Sequence, residues 1–529
     1  MKQPCDEAII RTSASTALCS EKSQRWVLAA TILGSSIAFI DSTAVNVSLP
    51  TLQSDLHATV VDVQWVIESY GLFLSALILV GGALGDSLGR RLMFMFGVVG
   101  FAGASAGCGF SSSVRELLFW RSIQGIAAAF LVPGSLSIIS SAYDENSRGR
   151  AIGTWAGFTT MTTALGPVLG GWLIEHASWH WVFFINVPLA AMVLLISLRH
   201  VPESRSSNAR NIDWPAAVIV TMGLAALVNG FLESAILGWR DLRIVGSLVL
   251  GFGSLILFVF VEQTVKTPMV PLKLFQAPGF SGANLVTLLL YAALGIFFFL
   301  FPLNLMQIQK YSATATGAAG LPMILLIFLL SRWSGGLIAR CGPRLPLLVG
   351  PLISAAAFLL FAAPTVGAHY WTAFFPAFMV LGMGMSISVA PLTTVVMNSV
   401  GNELAGTASG INNAVARVAG VLAVAVLGAV MVAAFAYSLQ HRLASLNLNT
   451  SIVHELESNV TKLGGLDAPA GVDLQTTAAI RSAIADAFVF GFRLIMLLCA
   501  ILAMASAGVA WRKIPSVAEC RLTSVAGAD

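Results

Sequence analysis

The 529-residue chain is 57% hydrophobic and only 10% charged, with a formal net charge of +4. A soluble domain carries about 25% charged residues, so this composition excludes a water-soluble globule and favours a chain embedded in a lipid bilayer. The basic residues occur singly or in pairs, and this pattern gives no reason to expect a nucleic acid partner.

Residues 1–25 are polar and carry Asp6, Glu7 and Glu21. They are typical of a cytoplasmic tail, because the apolar segment that follows is too long for a cleaved signal peptide. The six cysteines show no C-x-x-C spacing, so we expect neither disulfides nor a cysteine metal site. We therefore predict no metal and no cofactor.

Apolar stretches long enough to cross a bilayer, which takes about 20 helical residues, recur from Trp26 to Trp511. They predict an all-α integral membrane protein with fourteen transmembrane helices. The predicted spans are 26–49, 64–84, 92–110, 117–141, 150–174, 181–199, 214–236, 244–265, 280–304, 317–339, 345–364, 371–396, 405–434 and 487–510.

Lysine and arginine are distributed unequally between alternate loops. With the amino terminus inside, the cytoplasmic segments carry 18 of them and the outer loops carry 7. Cytoplasmic loops of membrane proteins are enriched in basic residues, so we predict that both termini are cytoplasmic. The long loop 437–486 would then lie outside, and Arg240 and Arg243 are exceptions to the pattern.

The first predicted helix reads Asp41-Ser-Thr-Ala-Val-Asn46-Val-Ser48-Leu-Pro50. A carboxylate at this depth costs about 2.5–3.5 kcal/mol on insertion scales and marks a functional candidate. Because loss of water disfavours the charged form of a carboxyl group, such a residue can bind and release a proton. The alternative is a structural hydrogen bond to a neighbouring helix.

Residues 82–91, after the second predicted helix, read Gly-Ala-Leu-Gly-Asp-Ser-Leu-Gly-Arg-Arg. The glycines permit a tight turn, and Asp86 can face a helix amino terminus with Arg90 holding it there. The pattern recurs at residues 335–344, with Ala339 in place of Asp86. Transporters are often built from such repeats, although chance similarity between glycine-rich loops is the alternative.

The fourth predicted helix places Gln124 and Gly125 on the same face as Arg121. Arg121 lies only a few residues inside this helix, so its side chain could also extend to the membrane surface.

The fifth predicted helix carries a stripe of small residues that would allow a neighbouring helix to pack closely, and a proline that can kink it. Generic membrane packing is the alternative. The stripe consists of Gly153, Gly157, Thr160, Ala164, Pro167 and Gly171.

These motifs resemble the signatures of the major facilitator superfamily. Residues 82–91 match G-x-L-a-D-x-x-G-r-[KR] at Gly82, Leu84, Asp86, Gly89, Arg90 and Arg91, and Arg121 begins a match to R-x-x-q-G. The fifth helix is similar to the antiporter signature of the exporters at Gly157, Gly166, Pro167, Gly170 and Gly171.

Residues 41–50 resemble D-x-T-[IV]-V-N-V-A-L-P, the signature of the fourteen-helix drug:proton antiporters of the EmrB/QacA type. The segments 181–188 and 406–413 are also similar to this family. The resemblance implies a major facilitator fold with two six-helix halves and an inserted helix pair. The implied domains are tail 1–25, half 26–200, pair 211–265, half 280–511 with loop 437–486, and tail 512–529.

The resemblance also implies proton-coupled efflux of small amphipathic drugs across a bacterial cytoplasmic or inner membrane. Asp41 would be the proton site and Arg121 would modulate it. The conformational latch would comprise Gly82, Asp86, Gly89, Arg90 and Arg91, and the fifth helix would prevent leakage. The implied partners are the bilayer, protons, the substrate and, as an open question, a periplasmic adaptor protein.

Four further residues are candidates for substrate binding, namely Glu68, Glu233, Asn46 and Gln124. The two glutamates could attract cations, but their places near helix ends favour contact with water. Met306 and the phenylalanine-rich run 297–301 could line an apolar pocket, although packing against lipid is the favoured interpretation.

Two other functions remain open. A proton-coupled or facilitated transporter of a specific metabolite would share most of these features. A membrane enzyme or receptor would need soluble catalytic residues, and no H-E-x-x-H or P-loop motif is present. We therefore predict a transporter and no enzymatic activity.

Overall fold

The computed structural model describes residues 21–143, 145–205, 213–265, 268, 270–335, 337–400, 405–446, 448–469 and 472–515. Every regular element in these ranges is helical, and none of them contains a β-strand. In the first part of the chain the helices are α1 Glu21–Asp55, α2 Val60–Leu88, α3 Arg90–Phe110, α4 Val114–Ala142, α5 Glu145–His176, α6 His180–Phe184, α7 Asn186–His200, α8 Trp214–Leu237 and α9 Leu242–Thr264.

A 3₁₀ helix, Leu272–Gln276, leads into the second part of the chain. Its helices are α10 Pro278–Leu303, α11 Ala313–Ala318, α12 Leu321–Gly335, α13 Leu337–Cys341, α14 Arg344–Ala362, α15 Tyr370–Ala373, α16 Phe375–Asn398, α17 Ala405–Ala444, α18 Thr450–Ser458 and α19 Leu474–Lys513. A π-helical turn, Asn304–Ile308, follows α10, and a second 3₁₀ helix spans Val460–Gly465.

Thirteen helical segments of the described residues are long and apolar enough to cross a membrane. The helix α5 has 32 residues and stands where the fifth span was predicted, but it is not one of the thirteen. The all-α membrane architecture is therefore confirmed, whereas the count of fourteen spans stays a prediction.

The predicted spans are too short at several ends. The helix α2 continues to Leu88, and α17 and α19 contain 40 residues each, so they occupy much of the predicted loop 437–486. Asp473 caps α19, because its Oδ1 accepts a hydrogen bond from the backbone N–H of Thr476 at 3.0 Å. Hydrogen bonds from the Thr476 side chain and backbone hold the pKa of Asp473 below its usual range. Polar ends of membrane helices lack the apolar signal by which the spans were recognised.

The described helices belong to two compact units. The first unit comprises Met1–Thr51, Trp65–Ala226 and Val249–Pro271, and the second comprises Leu52–Gln64, Leu227–Leu248 and Leu272–Asp529. The helices of the predicted insertion, α8 and α9, are divided between the two units. The domain boundaries derived from the sequence stay a prediction.

In the first unit, α3 packs against α4 and against the pair α6 and α7. In the second unit, α14 packs against α16 and α19, and α10 packs against α17 and α19. Each unit therefore has its own helical core, and the residues described below are positioned within one unit or the other.

The predicted lipid-facing position of the phenylalanine-rich run is wrong. Phe297 and Phe301 are buried in the second unit, where their rings contact those of Phe361 and Phe378. The ring centroids of Phe297 and Phe361 lie 4.7 Å apart. Aromatic pairs at this separation attract each other beyond the effect of burial alone, so this cluster is a packing core. Met306, in the π-helical turn, is half-buried.

The topology can be checked at two exposed positions, Arg205 after α7 and Ser451 in α18. In a cysteine-free background, Arg205→Cys and Ser451→Cys should react from opposite sides of the membrane, because the basic-residue pattern places them on opposite sides. The measurement is labelling by an impermeant maleimide in intact cells, where only Ser451→Cys should react. Reaction of both cysteines before lysis would contradict the predicted orientation.

Candidate functional site

A polar cluster lies buried inside the first unit. It consists of Asp41 on α1, Ser105 on α3, Arg121 and Gln124 on α4, and Asn186 on α7, and we call it the Asp41 cluster. The Asp41 side chain is 0% exposed and that of Arg121 is 1% exposed. Four helices of the first unit therefore converge on one carboxylate.

The Asp41 carboxylate accepts three hydrogen bonds. Arg121 Nη1 donates to Oδ2 at 2.7 Å, and Gln124 Nε2 and Asn186 Nδ2 both donate to Oδ1 at 2.9 Å. Ser105 Oγ accepts a second hydrogen bond from each of these two amides, at 3.2 Å and 2.9 Å. Both oxygens of the Asp41 carboxylate are therefore hydrogen-bonded, and the charge of the guanidinium lies directly against that of the carboxylate.

Arg121 is held on every side. Its Nη1 also donates to Gln124 Oε1 at 2.6 Å, and its Nε donates to the carbonyl oxygen of Val66 at 3.1 Å. Its guanidinium lies 4.3 Å from the centre of the Tyr70 ring, within the range of a cation–π interaction. The interpretation that the Arg121 side chain extends to the membrane surface is therefore wrong. Arg121 also lies two turns inside its helix, because α4 begins at Val114.

The pairing explains how two charges can be tolerated at this depth. A buried charge that loses its partner costs about 3–5 kcal/mol, whereas a fully hydrogen-bonded pair roughly offsets its own desolvation. The interactions of Asp41 and Arg121 are therefore mutually dependent. A change of charge on either one leaves the other uncompensated.

The glycine-rich helix α5 packs directly against the part of α1 that carries Asp41. A Cβ atom added at Gly170 would lie 2.8 Å from the Cβ of Ala44, and one added at Gly166 would overlap Thr43 Oγ1. A Cβ added at Gly157, in contrast, would meet no atom within 4 Å. The close contact between α5 and α1 therefore involves Gly166 and Gly170 but not Gly157.

Other members of the motif add less. Gly171 is buried and Pro167 is half-buried within α5. For Gly153, Thr160 and Ala164 of the predicted stripe only the helical backbone of α5 is described. The small-residue face of α5 is thus shown at Gly166 and Gly170, next to Asp41.

The predicted latch loop is almost entirely helical. Gly82 and Asp86 lie in the last turns of α2, and only Gly89 separates α2 from α3. Gly89 has a backbone φ of +129°, a conformation that residues other than glycine rarely adopt. Asp86 accepts hydrogen bonds from Arg90, with Nε at 2.9 Å and Nη2 at 2.8 Å from its Oδ1.

Glu203, not Asp86, occupies the amino terminus of α3. Its two carboxylate oxygens accept hydrogen bonds from the backbone N–H groups of Arg91 and Leu92, both at 3.1 Å. The Arg91 side chain donates to the carbonyl oxygen of Val201, at the end of α7, at 3.0 Å. A carboxylate at a helix amino terminus is stabilised by the free N–H groups and the helix dipole. Glu203 therefore ties the end of α7 to the start of α3.

The internal repeat is visible in the second unit. Gly342 has a φ of +72°, as the counterpart of Gly89, and Arg344 Nε donates to the carbonyl oxygen of Ile514 at 2.7 Å. This bond corresponds to the one from Arg91 to Val201, since each arginine binds the carbonyl at the end of the last long helix of its half. The repeat thus reflects a shared local geometry.

The candidate substrate-binding residues are found in different surroundings. Glu68 is 0% exposed, and neither of its carboxylate oxygens has a hydrogen-bond partner among the described residues. The expectation that it is wet is therefore wrong. Gln124 is engaged in the Asp41 cluster, Asn46 is half-buried one turn beyond Asp41, and Glu233 is half-buried in α8.

Sequence analysis missed three residues. Asn186 and Ser105 complete the Asp41 cluster, and Glu203 caps α3. Asn186 belongs to the segment 181–188, which resembles the fourteen-helix drug:proton antiporters, but the resemblance assigned no role to this residue. Ser105 had no signal, because a single serine in an apolar helix is common. The pattern Val-Pro-Glu after a helix that ends in basic residues could have indicated Glu203.

Membrane-length helices in two units, with a charged pair buried deep inside one of them, define a polytopic membrane transport protein. Ionisable residues placed inside a membrane bundle typically mark an ion or substrate pathway.

Comparisons with known proteins agree. The profile of the Major Facilitator Superfamily matches residues 31–424. The tetracenomycin C resistance and export protein of Streptomyces glaucescens is 33% identical, over 76% of this chain and 75% of that protein. The puromycin resistance protein pur8 of Streptomyces alboniger is 34% identical, over 78% of this chain and 82% of that protein.

Among solved structures, a bacterial homologue of the human lysosomal transporter Spinster, in an inward-facing conformation, covers 94% of this chain and 100% of its own, with a TM-score of 0.66 and 17% identity. This likeness supports the fold. The chain belongs to the Major Facilitator Superfamily.

Two glycines of the α5 motif provide a matched test of the packing. Gly166→Ala should destabilise the protein by about 1–3 kcal/mol, because its methyl group has to displace α1 beside Asp41. Gly157→Ala should be neutral or slightly stabilising, since alanine is the better helix former by about 1 kcal/mol. Thermal unfolding of both purified variants checks this difference. Equal stabilities would mean that the α1–α5 contact is looser than described.

Proposed function

We propose that the protein exports amphipathic drugs in exchange for protons. Its relatives are named for resistance to antibiotics or for their export, and the family contains transporters. The observation that supports proton coupling is the buried pair of Asp41 and Arg121. It places a carboxyl group, which can bind a proton, against a cation whose stability depends on the charge of that group.

In this proposal Asp41 carries the proton. A proton that binds the Asp41 carboxylate neutralises it and removes the charge assistance from its hydrogen bond with Arg121. The guanidinium is then a buried and uncompensated cation, so conformations that give it water or another partner become favoured. Release of the proton on the other side restores the pair. At about −100 mV each entering proton supplies roughly 2.3 kcal/mol before any pH gradient.

The helix α5 would transmit this change. Its residues Gly166 and Gly170 touch the turn of α1 that contains Asp41, so a shift of α1 requires α5 to move with it. Close packing without water along this contact would also limit leakage of protons. The latch residues Asp86, Arg90 and Arg91, together with Glu203, would set the balance between conformations, because their bonds join α2, α3 and the end of α7.

Asp41→Asn tests the proton site. The amide keeps the shape of the carboxylic acid but cannot release a proton, so uphill efflux should fall to the level of cells without the protein, while downhill exchange of drug persists. The matched control is Asp55→Asn, which changes an exposed carboxylate of the same helix and should leave transport intact.

The measurement is accumulation of an exported drug in inverted membrane vesicles energised with a proton gradient. Proton-driven accumulation by Asp41→Asn would show that the proton binds elsewhere. If collapse of the proton gradient left drug transport by the wild-type protein unchanged, the result would instead favour a facilitator.

Glu68 supports a preference for cationic drugs. An ionised carboxylate without a partner is costly in a dry interior, so Glu68 would be neutral until a cation takes the place of its proton. It lies two residues from both Val66 and Tyr70, which both contact Arg121, and therefore on the opposite side of α2. Glu68 is thus separate from the Asp41 cluster and free for a different ligand.

Glu68→Gln should lower efflux of a permanently cationic drug by about tenfold or more, since a buried ion pair that loses one partner is strongly weakened. Efflux of a neutral drug should be unchanged, because the amide replaces the neutral acid with little change of shape. Both are measured in the same vesicles. Equal losses for both drugs, or no loss for the cation, would remove Glu68 from substrate recognition.

A further inference from the structure

The orientation of the amide groups around Asp41 follows from one hydroxyl group, that of Ser105 on α3. Its Oγ lies 2.9 Å from the carbonyl oxygen of Phe183, and a carbonyl can only accept, so the hydroxyl is the donor of this bond. A serine hydroxyl has one proton to donate and two lone pairs that accept. In its remaining polar contacts Ser105 must therefore be the acceptor.

This constraint decides which end of each neighbouring amide faces Asp41. Gln124 Nε2 lies 3.2 Å and Asn186 Nδ2 lies 2.9 Å from Ser105 Oγ. An amide oxygen at either place would meet the lone pairs of the hydroxyl, so both amides must present their N–H groups there. The same N–H ends donate to Asp41 Oδ1, both at 2.9 Å. Ser105 therefore acts on the carboxylate through the two amides.

The two amides depend on Ser105 to different degrees. Gln124 is also fixed at its other end, because its Oε1 accepts a hydrogen bond from Arg121 Nη1 at 2.6 Å. The Oδ1 of Asn186 is buried and has no hydrogen-bond partner among the described residues. A buried acceptor without a donor is unfavourable, so the Asn186 amide does not adopt this orientation to satisfy its own oxygen. The orientation is imposed by Ser105 and Asp41.

The lone pairs of the Asp41 carboxylate leave one place for a proton. A carboxylate has about four acceptor positions, shared equally by its two oxygens. Both positions on Oδ1 are taken by the amides of Gln124 and Asn186. Within the described part of the chain Oδ2 accepts a single hydrogen bond, from Arg121 Nη1 at 2.7 Å. A proton can therefore bind the second lone pair of Oδ2 without displacing a donor.

The ionisable groups around this position come from α2, α3 and α4. Arg121 of α4 is the bonded cation, and the ring of Tyr70 on α2 lies against its guanidinium. The thiol of Cys108 on α3 lies 3.9 Å from Gln124 Oε1. The helix α5 faces the same turn of α1 with two glycines, and α6 and α7 contribute a backbone carbonyl and an amide. A proton on Oδ2 therefore lies beside the guanidinium of Arg121.

We propose that the proton binds Oδ2 of Asp41, and that Ser105 is the positioning residue that directs it there by holding the Asn186 amide. This inference rests on the proposal that Asp41 carries the proton in exchange for drug. In the step itself a lone pair of Oδ2 forms an O–H bond with the incoming proton, and the carboxylate loses its negative charge. Oδ1 becomes the carbonyl oxygen of the neutral acid and keeps both amide hydrogen bonds. Release of the proton reverses the step.

The C=O stretching band of the neutral acid reports which oxygen carries the proton. Infrared difference spectra of the purified protein in lipid vesicles, recorded between alkaline and acidic buffer, contain this band, and its absence from Asp41→Asn assigns it. A hydrogen bond to a carbonyl oxygen weakens the C=O bond and lowers its stretching frequency. With Oδ1 as the carbonyl oxygen, Asn186→Leu removes one of its two donors and should shift the band to higher frequency. With the proton on Oδ1 instead, the band would stay in place.

Three serine variants test the role of the hydroxyl group. Ser105→Ala removes the lone pairs that hold Asn186, so the amide can rotate once the acid is neutral, and the band should shift in the same direction as in Asn186→Leu. Ser105→Thr keeps the hydroxyl and should keep the wild-type band. The matched control is Ser135→Ala, because Ser135 is also fully buried but donates to the carbonyl of Leu131 in its own helix. Its band should match the wild type.

The outcomes separate this inference from the proposed function. An Asp41 band that keeps its frequency in Asn186→Leu would overturn proton binding at Oδ2 but leave Asp41 as the proton carrier. A band that moves in Asn186→Leu but not in Ser105→Ala, or that moves equally in Ser105→Thr, would overturn the role of Ser105. If no band in the wild type depended on Asp41, the proton site of the proposed function would be lost together with this inference.

Discussion

The hydrogen-bonded ion pair between Asp41 and Arg121 is the constraint on which the first unit depends. Two charges can remain in the interior of a membrane bundle only if every strong donor and acceptor near them is satisfied. Gln124 and Asn186 complete the shell of the carboxylate, and the Val66 carbonyl completes that of the guanidinium. These contacts fix how α1, α2, α4 and α7 approach one another. The glycines of α5 then allow that helix to pack against the same turn of α1.

The two halves share a geometry but not a charge balance. Each has a glycine with positive φ followed by an arginine that binds the carbonyl at the end of its last long helix. In the first half, however, Asp86 pairs with Arg90, and Glu203 caps α3 beside Arg91. The half that carries the Asp41 cluster thus closes its helix ends with its own carboxylates.

The sequence was sufficient for the fold class because membrane-length apolar stretches depend on composition alone. It also indicated Asp41, Arg121 and Gln124, since polar residues at fixed helical spacing in an apolar segment stand out. It could not show that they meet, because the contact joins residues 80 positions apart. Ser105 and Glu203 were missed for the same reason, as each acquires its role from a partner on another helix.

Helix ends were misjudged for a different physical reason. Asp86 was assigned to a loop because charge and glycine usually interrupt a membrane span, yet one glycine with positive φ suffices to join α2 and α3. Glu68 was expected to be wet because it stands near the start of a predicted span. Burial of Glu68 depends on what packs around α2, and no periodicity within that helix reports it.

The contrast between these two acids has a mechanistic consequence. The charge of Asp41 is compensated by the protein, so the binding of a proton there disturbs an existing structure. The described residues offer the Glu68 carboxyl group no hydrogen-bond partner. Two carboxyl groups in opposite surroundings can perform two tasks at the same pH. In the proposed exchange Asp41 would bind the proton, and Glu68 would meet the cationic part of the drug.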